Sequence, residues 1–306
     1  MAIHTCRLTG AFCALSFSMT LAASAQDQAA ESELSAEQQA YFEQLQQTWE
    51  SLDRRSGRIE LSGGFATLDV PGDYYFLGPD DAETVLVDIW GNPPGQNVVG
   101  MMMPDKYTPF DENSWAVTFE YVEDGYVSDE DAADINYDKL LKQMQKETRA
   151  SSEQRAEAGY GTVELLGWAE TPFYSAADKH LYWAKSLRFN GDQDVLNYDI
   201  RTLGRKGVLS MTFIASTDQL GEINAARQDI LAMAAFNEGY RYEDYDASTD
   251  KLAAYGIGAL IAGGVAKKTG LLVVLLAFLK KFGVVIAVAV AAMFGKIRNL
   301  FRRSDA

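Results

Sequence analysis

The chain has 306 residues, and its 43 Asp and Glu outnumber its 27 Lys and Arg to give a formal net charge of −16. Residues 26–250 hold 42 of the acidic side chains but only 17 basic ones, a balance that repels nucleic acid and anionic lipid, so nucleic acid is excluded as a partner. Both cysteines and one of the two histidines fall within residues 1–25, so the rest of the chain excludes disulfides, cysteine nucleophiles and Cys/His metal centres, and we expect no cofactor.

Residues 1–25 predict a secretory signal peptide. Arg7 supplies the positive charge, Leu8–Ala22 is largely apolar, and Ala23-Ser24-Ala25 has the small-residue pattern of a cleavage site. Residues 26–56 then predict a polar leader and a helix that begins after Ser35. Apolar residues recur in this helix at steps of three and four, which is typical of a face that packs against a core or a partner helix.

Residues 57–250 predict one acidic α+β domain, with a single antiparallel sheet flanked by helices. Helices are expected at Ala82–Trp90, from Tyr137 towards Arg149, and around Ile223–Ala234. Strands are expected at Arg58–Leu61, Phe65–Val70, Val98–Met103, Trp115–Val122, Thr162–Trp168, Leu181–Phe189, Leu196–Leu203 and Gly207–Ala215. The acidic stretch 128–134 lacks the ligand spacing of an EF-hand loop, so we interpret Ser128 and Asp131 as a capping box for the helix that follows.

The strand Leu181–Phe189 has a cation, Lys185, on its apolar face. If residues 190–194 form a hairpin loop, Lys185 lies beside Asp199, and Arg201 lies beside Trp183. Such a row could bind an anionic group; the alternative is a paired, partly solvated sheet edge.

Two further segments are candidate binding sites. Trp90 and Asn92, in the stretch Trp90-Gly-Asn-Pro-Pro94, could line a groove, because Trp stacks on sugars and peptides; the alternative is a helix stop with a core Trp. Arg205 lies in a basic turn, Gly204-Arg-Lys-Gly207, which could contact a phosphate or be an ordinary exposed turn. His180 is interpreted as structural.

The last 56 residues predict membrane attachment. A Gly-rich juxtamembrane segment, 251–269, precedes a transmembrane anchor at 270–295 and a basic tail at 296–306, and the tail favours a cytoplasmic C-terminus. The alternatives are a hairpin of two short helices and a buried soluble helix. The Gly-rich segment permits close helix packing between copies, or it is a flexible approach to the anchor.

Several short stretches resemble one bacterial family. They are Ala66-Thr-Leu68, Trp90-Gly-Asn-Pro93, Glu123-Asp-Gly-Tyr-Val-Ser-Asp129, Gly167-Trp-Ala169, Tyr182-Trp-Ala-Lys185, Leu196-Asn-Tyr198, Leu203-Gly-Arg-Lys-Gly-Val-Leu209, Phe236-Asn-Glu-Gly239, Asp250-Lys251 and Ala254-Tyr-Gly256. Together they are similar to the uncharacterised membrane-anchored proteins with domain of unknown function 2167. The resemblance implies anchored export and no particular activity. The element order also resembles the Mog1/PsbP-like sandwich, an analogy of fold alone.

The sequence therefore predicts a non-enzymatic binding or assembly protein of the bacterial inner membrane. Its bulk would be periplasmic, held by a C-terminal helix in the lipid bilayer, with an envelope protein as partner. One alternative is an envelope glycan hydrolase with Glu120 or Asp124 as acid/base. Another is a transport or pore accessory that acts through the Gly-rich tail.

Overall fold

The structure is a computed structural model that describes residues 36–262, and it divides into two units between Ser51 and Leu52. The described part of the first unit is helix α1 (Ala36–Ser51), which confirms the predicted N-terminal helix. The predicted signal peptide 1–25, the predicted transmembrane anchor 270–295 and the basic tail 296–306 lie outside the described residues, and these expectations stay predictions. Among residues 36–262, no helix combines the length and apolar composition that a bilayer crossing requires.

The second unit alternates short strands and helices. Its helices are α2 (Pro79–Thr84), which continues as one π-helical turn over Val85–Ile89, α3 (Tyr137–Glu157), α4 (Leu220–Met233) and α5 (Ile257–Ile261). Its strands are β1 (Gly57–Glu60), β2 (Ala66–Val70), β3 (Tyr74–Leu77), β4 (Gly100–Pro104), β5 (Ala116–Val122), β6 (Val163–Ser175), β7 (His180–Phe189), β8 (Gln193–Leu203), β9 (Val208–Ser216) and β10 (Ala234–Phe236). The eight predicted strands and three predicted helices of this region are confirmed. Most ends shift by a few residues, whereas β6 and α3 continue seven and eight residues beyond their predicted ends.

The strands form two antiparallel sheets, so the prediction of a single sheet is wrong. One sheet has the order β1-β2-β10, and the other has the order β3-β4-β5-β9-β8-β7-β6. The chain changes sheets at Pro71, because this residue ends β2 and its carbonyl accepts a turn hydrogen bond from the Tyr74 N–H. The sequence analysis assigned no element to β3 or β10, which have four and three residues.

The seven-stranded sheet is covered differently on its two faces. Along β8, Leu196, Tyr198 and Ile200 face the larger core, which also contains β2 of the small sheet and the Ile223 and Ile230 side chains of α4. The opposite face carries a second core, formed by Leu181, Trp183, Leu203 and Val208 with side chains of α3 and α5. The alternation of side chains along a strand assigns β8 residues 197, 199 and 201 to this second face.

Helix α3 covers the bulged edge strand β6. The side-chain amide of Gln145 donates to the Leu165 and Leu166 carbonyls, and the Ser152 hydroxyl accepts from the Val163 N–H. These contacts satisfy backbone groups that an uncovered edge would expose to other chains.

The acidic stretch 128–134 does not form the predicted capping box. Helix α3 begins later, where the Asn136 side chain accepts from the Lys139 N–H. The Asp131 carboxylate instead accepts from the Ile257 N–H, at the start of α5. The Asp131 carboxylate thus binds a backbone N–H that is distant in sequence, and it does not cap the helix that follows it.

The segment that precedes residue 263 packs into the second core. Leu252 pairs with Tyr126 in a parallel bridge, and Ile257, Leu260 and Ile261 of α5 are buried. The Tyr126 ring stacks on Tyr245 with centroids 3.8 Å apart. Residues 252–262 are therefore part of the folded domain.

A glycine in the β8–β9 turn tests how closely the domain is packed. A Cβ at Gly207 would lie 2.0 Å from the Val122 carbonyl oxygen, which belongs to rigid backbone, whereas a Cβ at Gly221 in α4 would have no atom within 4 Å. We expect Gly207→Ala to lower the free energy of unfolding by about 2–3 kcal/mol. Gly221→Ala should raise it by up to about 1 kcal/mol, because Ala has the higher helix propensity. Thermal and denaturant unfolding of both variants checks this, and equal effects would contradict the packing.

Candidate functional site

A polar groove of about 880 Å³ opens on the second face of the seven-stranded sheet. Its base is formed by side chains of four adjacent strands, β5, β9, β8 and β7. One wall is the loop that follows α2, and the other includes Arg155 and Tyr160 at the end of α3. The base side chains are Thr118, Glu120, Thr212, Ile214, Asn197, Asp199, Arg201 and Lys185.

The centre of the base is a carboxylate shared by two cations. Lys185 Nζ lies 2.8 Å from Asp199 Oδ2, and a terminal guanidinium nitrogen of Arg201 lies 3.1 Å from Oδ1. The Thr212 hydroxyl also donates to Oδ1, at 2.9 Å. The Arg201 guanidinium carbon lies 5.1 Å from the Trp183 ring centroid, a cation–π distance that fixes its plane.

Asp199 is 1% exposed, whereas the side chains of Lys185 and Arg201 are 20% and 17% exposed. Burial opposes ionisation of Asp199, but Lys185 and Arg201 outweigh it and hold the pKa of the carboxyl below its ordinary value. The carboxylate is therefore charged at neutral pH and is neutralised from the groove side.

Glu120 lies on the same face, two strands from Asp199. Strand pairing places Glu120 opposite Ser210, and Ser210 opposite Arg201. Burial raises the pKa of Glu120, Arg201 and Lys185 lower it, and Asp199 raises it, with a net upward shift. Glu120 thus takes up a proton at a higher pH than an ordinary glutamate does.

The rim contains the predicted Trp90 segment. The Trp90 indole N–H donates to the Pro109 carbonyl at 3.0 Å, and the Asn92 side-chain amide donates to the Leu86 carbonyl at 3.0 Å. Both polar groups are used within the protein, so these residues shape the wall and present the half-buried Trp90 ring to the groove.

Five of the six predicted site residues meet in this groove, although the sequence analysis had them in two separate places. Trp90 and Asn92 lie on the wall, and Lys185, Asp199 and Arg201 lie in the base. The sixth, Arg205, does not join them. It makes a bidentate ion pair with Asp250, with nitrogen–oxygen distances of 2.7 and 3.0 Å, and so holds the segment that leads to α5.

The predicted hairpin register was wrong by two residues. Lys185 pairs with Asn197, and Trp183 pairs with Asp199, because the loop comprises only residues 190–192, with Asn190 and Gly191 in the left-handed region. A shift of two residues preserves the face, so Lys185 still reaches Asp199 diagonally.

Other titratable candidates lie outside the groove. The His180 ring nitrogen Nδ1 lies 3.1 Å from the Tyr182 hydroxyl, and burial lowers the pKa of the imidazole. Asp124, an alternative acid/base, interacts with the Tyr255 hydroxyl. Neither residue contributes to the groove lining.

Two residues of the groove base, Thr212 and Asn197, were not among the predicted site residues. A β8–β9 hairpin with its turn at Gly204–Gly207 pairs Leu203 with Val208, and counting back from this pair places Thr212 beside Asp199. That signal was available. Thr118 lies beside Thr212 because β5 pairs with β9, and these two strands are far apart in the chain.

The fold and the groove define a mixed α/β domain with antiparallel sheets and a cation-containing polar groove. A family model described as "Protein of unknown function (DUF2167)" matches residues 53–291, and the chain belongs to this family. None of the curated proteins compared with the chain matches it. Among solved structures, the chain is similar to cyanobacterial PsbP (CyanoP) from Synechocystis sp. PCC 6803, with 10% identity and a TM-score of 0.33 over 61% of this chain and 93% of that one.

The buried carboxylate should dominate the stability of the site. We expect Asp199→Asn to lower the free energy of unfolding at pH 7 by about 3–5 kcal/mol, because two cations lose their shared counter-ion. Asp194→Asn is the matched control: its partner Arg188 is 39% exposed, so solvent screens this ion pair and the loss of stability should be much smaller.

The difference between wild type and Asp199→Asn should also depend on pH. The folded pKa of Asp199 lies below the ordinary 3.8, so the advantage is complete above that pH and disappears as pH falls through the folded pKa. Urea unfolding between pH 2.5 and 7 measures this. Equal losses for the two variants at pH 7 would show that the shared ion pair is not special.

Proposed function

We propose that this protein is a non-enzymatic binding or assembly factor, anchored in the bacterial inner membrane, that holds its ligand or partner in the polar groove. The supporting observation is the base of the groove, where Lys185 and Arg201 share one buried carboxylate and remain accessible. Such cations are uncommon on a domain with 17 basic and 42 acidic residues in positions 26–250, so they provide a local site for an anionic group. We also propose that the domain has the Mog1/PsbP-like sandwich fold.

The arrangement of carboxylates favours binding over glycan hydrolysis. A glycosidase needs two carboxyl groups on either side of the scissile bond. In the groove base, Asp199 is occupied by two cations and a hydroxyl, which leaves Glu120 as the one carboxyl of the base without an ion-pair partner in the described residues. Asp124, the other acid/base considered, lies beside Tyr255 and outside the groove.

The C-terminal segment is proposed as a tether. Residues 252–262 pack into the second core, which favours a segment that joins the domain to an anchor over one that lines a pore. The signal peptide at 1–25, the span at 270–295 and the basic residues of 296–306 support a periplasmic domain with a cytoplasmic C-terminus.

The tether can be tested by extraction from membranes. The full chain should stay in the pellet when vesicles are washed with alkaline carbonate, because a spanning helix is not released by charge disruption. A chain that ends at Ala262 should appear in the periplasmic fraction. Recovery of the full chain in the carbonate wash would refute the anchor.

The groove can be tested by crosslinking in cells. A photoreactive amino acid at Asn92, on the groove wall, should give a discrete adduct, and the same probe at the exposed Arg58 of β1 should not. Adding Arg201→Gln to the Asn92 probe chain should reduce the adduct by about tenfold or more, since it removes a charge-assisted contact. An adduct that is unchanged by Arg201→Gln, or equal at Arg58, would remove the groove from the proposed function.

A further inference from the structure

The cations of the groove base have more donors than the protein uses. The Lys185 ammonium has three N–H donors and needs one for its ion pair with Asp199. The Arg201 guanidinium has five, of which one faces Asp199 and one faces the Thr212 hydroxyl at 3.4 Å. Both side chains line the groove and are 20% and 17% exposed, so their remaining donors can receive an oxyanion.

The two cations and the one carboxylate at the centre of the groove base can be neutralised by one further negative charge. Lys185 and Arg201 supply two positive charges, and Asp199 neutralises one of them. The other carboxyl of the groove base is Glu120, whose pKa responds to all three of these groups. When Glu120 is ionised, the base is neutral; when it is protonated, the base carries one positive charge.

The other elements around the groove do not change this balance within the base. Strand β9 contributes Thr212 and Ile214, which are uncharged. The walls contribute Arg155 from α3, Asp194 from the start of β8, and Asp111 and Glu112 from the loop between β4 and β5. Arg155 lies against the Tyr160 and Phe189 rings, at 5.8 and 5.6 Å, and Asp194 is paired with Arg188.

We propose that the groove binds a singly charged oxyanion, a carboxylate or a phosphodiester, between Lys185 and Arg201, and that Glu120 takes up one proton as the anion binds. This inference rests on the proposed binding function and specifies its ligand class. The ionised Glu120 and the ligand compete for the same positive charge, so Glu120 acts as an internal competitor of the ligand. A dianion would exceed the single positive charge of the base.

The coupling fixes the direction of the pH dependence. An anion near Glu120 disfavours its ionised form and raises its pKa further in the complex. Affinity is therefore highest below the pKa of Glu120 in the free protein and falls as pH rises through that value. Because burial already raises the pKa of Glu120, this fall lies at a higher pH than for an ordinary glutamate.

The test is ligand-observed NMR on the full chain in dodecyl maltoside, with dimethyl phosphate and N-acetylglycine as probes. Their neutral counterparts, trimethyl phosphate and N-acetylglycine amide, serve as ligand controls. Both anions should bind at least about fivefold more weakly at pH 8 than at pH 5, since both stay largely ionised over this range and the change then reports the protein. If only one of the two anions binds, its class, phosphodiester or carboxylate, is the ligand class of the groove.

Two substitutions separate the coupling from simple attraction. Glu120→Gln should bind the anions at pH 8 at least about fivefold more tightly than wild type, with affinities at pH 5 and pH 8 within about twofold, because the competing charge is gone. Lys185→Gln should weaken binding about tenfold, whereas Arg58→Gln, on the exposed small sheet, should leave it unchanged. Circular dichroism confirms that each variant is folded.

Three results would overturn the inference. They are equal binding of the neutral counterparts, wild-type affinity that does not change with pH, and a Glu120→Gln variant that keeps the wild-type pH dependence. The crosslinking result decides the proposed function separately. An Asn92 adduct that depends on Arg201, together with failure of both anions to bind, would leave a binding groove whose ligand is not an oxyanion.

Discussion

The buried carboxylate of Asp199 is the constraint on which the site depends. A charge that is 1% exposed is costly unless it is paired, and here Lys185, Arg201 and Thr212 pair it on one side. The pairing in turn requires three adjacent strands, β7, β8 and β9, in one register. If Lys185 and Arg201 moved away, the charge of Asp199 would be uncompensated. Both cations are therefore held in the groove base, which stays polar.

The cover of the sheet explains why the groove exists. Strand alternation sends Leu196, Tyr198 and Ile200 into the larger core, and the intervening residues to the opposite face. On that face, α3 and the segment that ends in α5 bury the apolar Leu181 and Trp183. Within residues 36–262, no helix covers the neighbouring polar side chains Lys185, Asp199 and Arg201. The charges of these side chains favour ligand binding.

Local patterns predicted most of the elements, and long-range pairing accounts for most of what they missed. Lys185 was singled out because a cation interrupted an apolar strand face, and a register error of two residues left that face unchanged. The third strand of the small sheet, β10, pairs with β2 across some 170 residues. The meeting of Trp90 with Lys185 requires β5 to pair with β9. Neither pairing has a local signal.

Trp183 connects the groove to the C-terminal segment. Arg201 lies over its indole ring, and the ring belongs to the buried cluster that contains Ile257, Leu260 and Ile261. Any displacement of Arg201 by a bound anion therefore alters a contact of the core in which α5 is held. Asp250 and Leu252 hold the same segment against the domain through Arg205 and Tyr126. Packed side chains therefore connect the candidate site with residues 252–262.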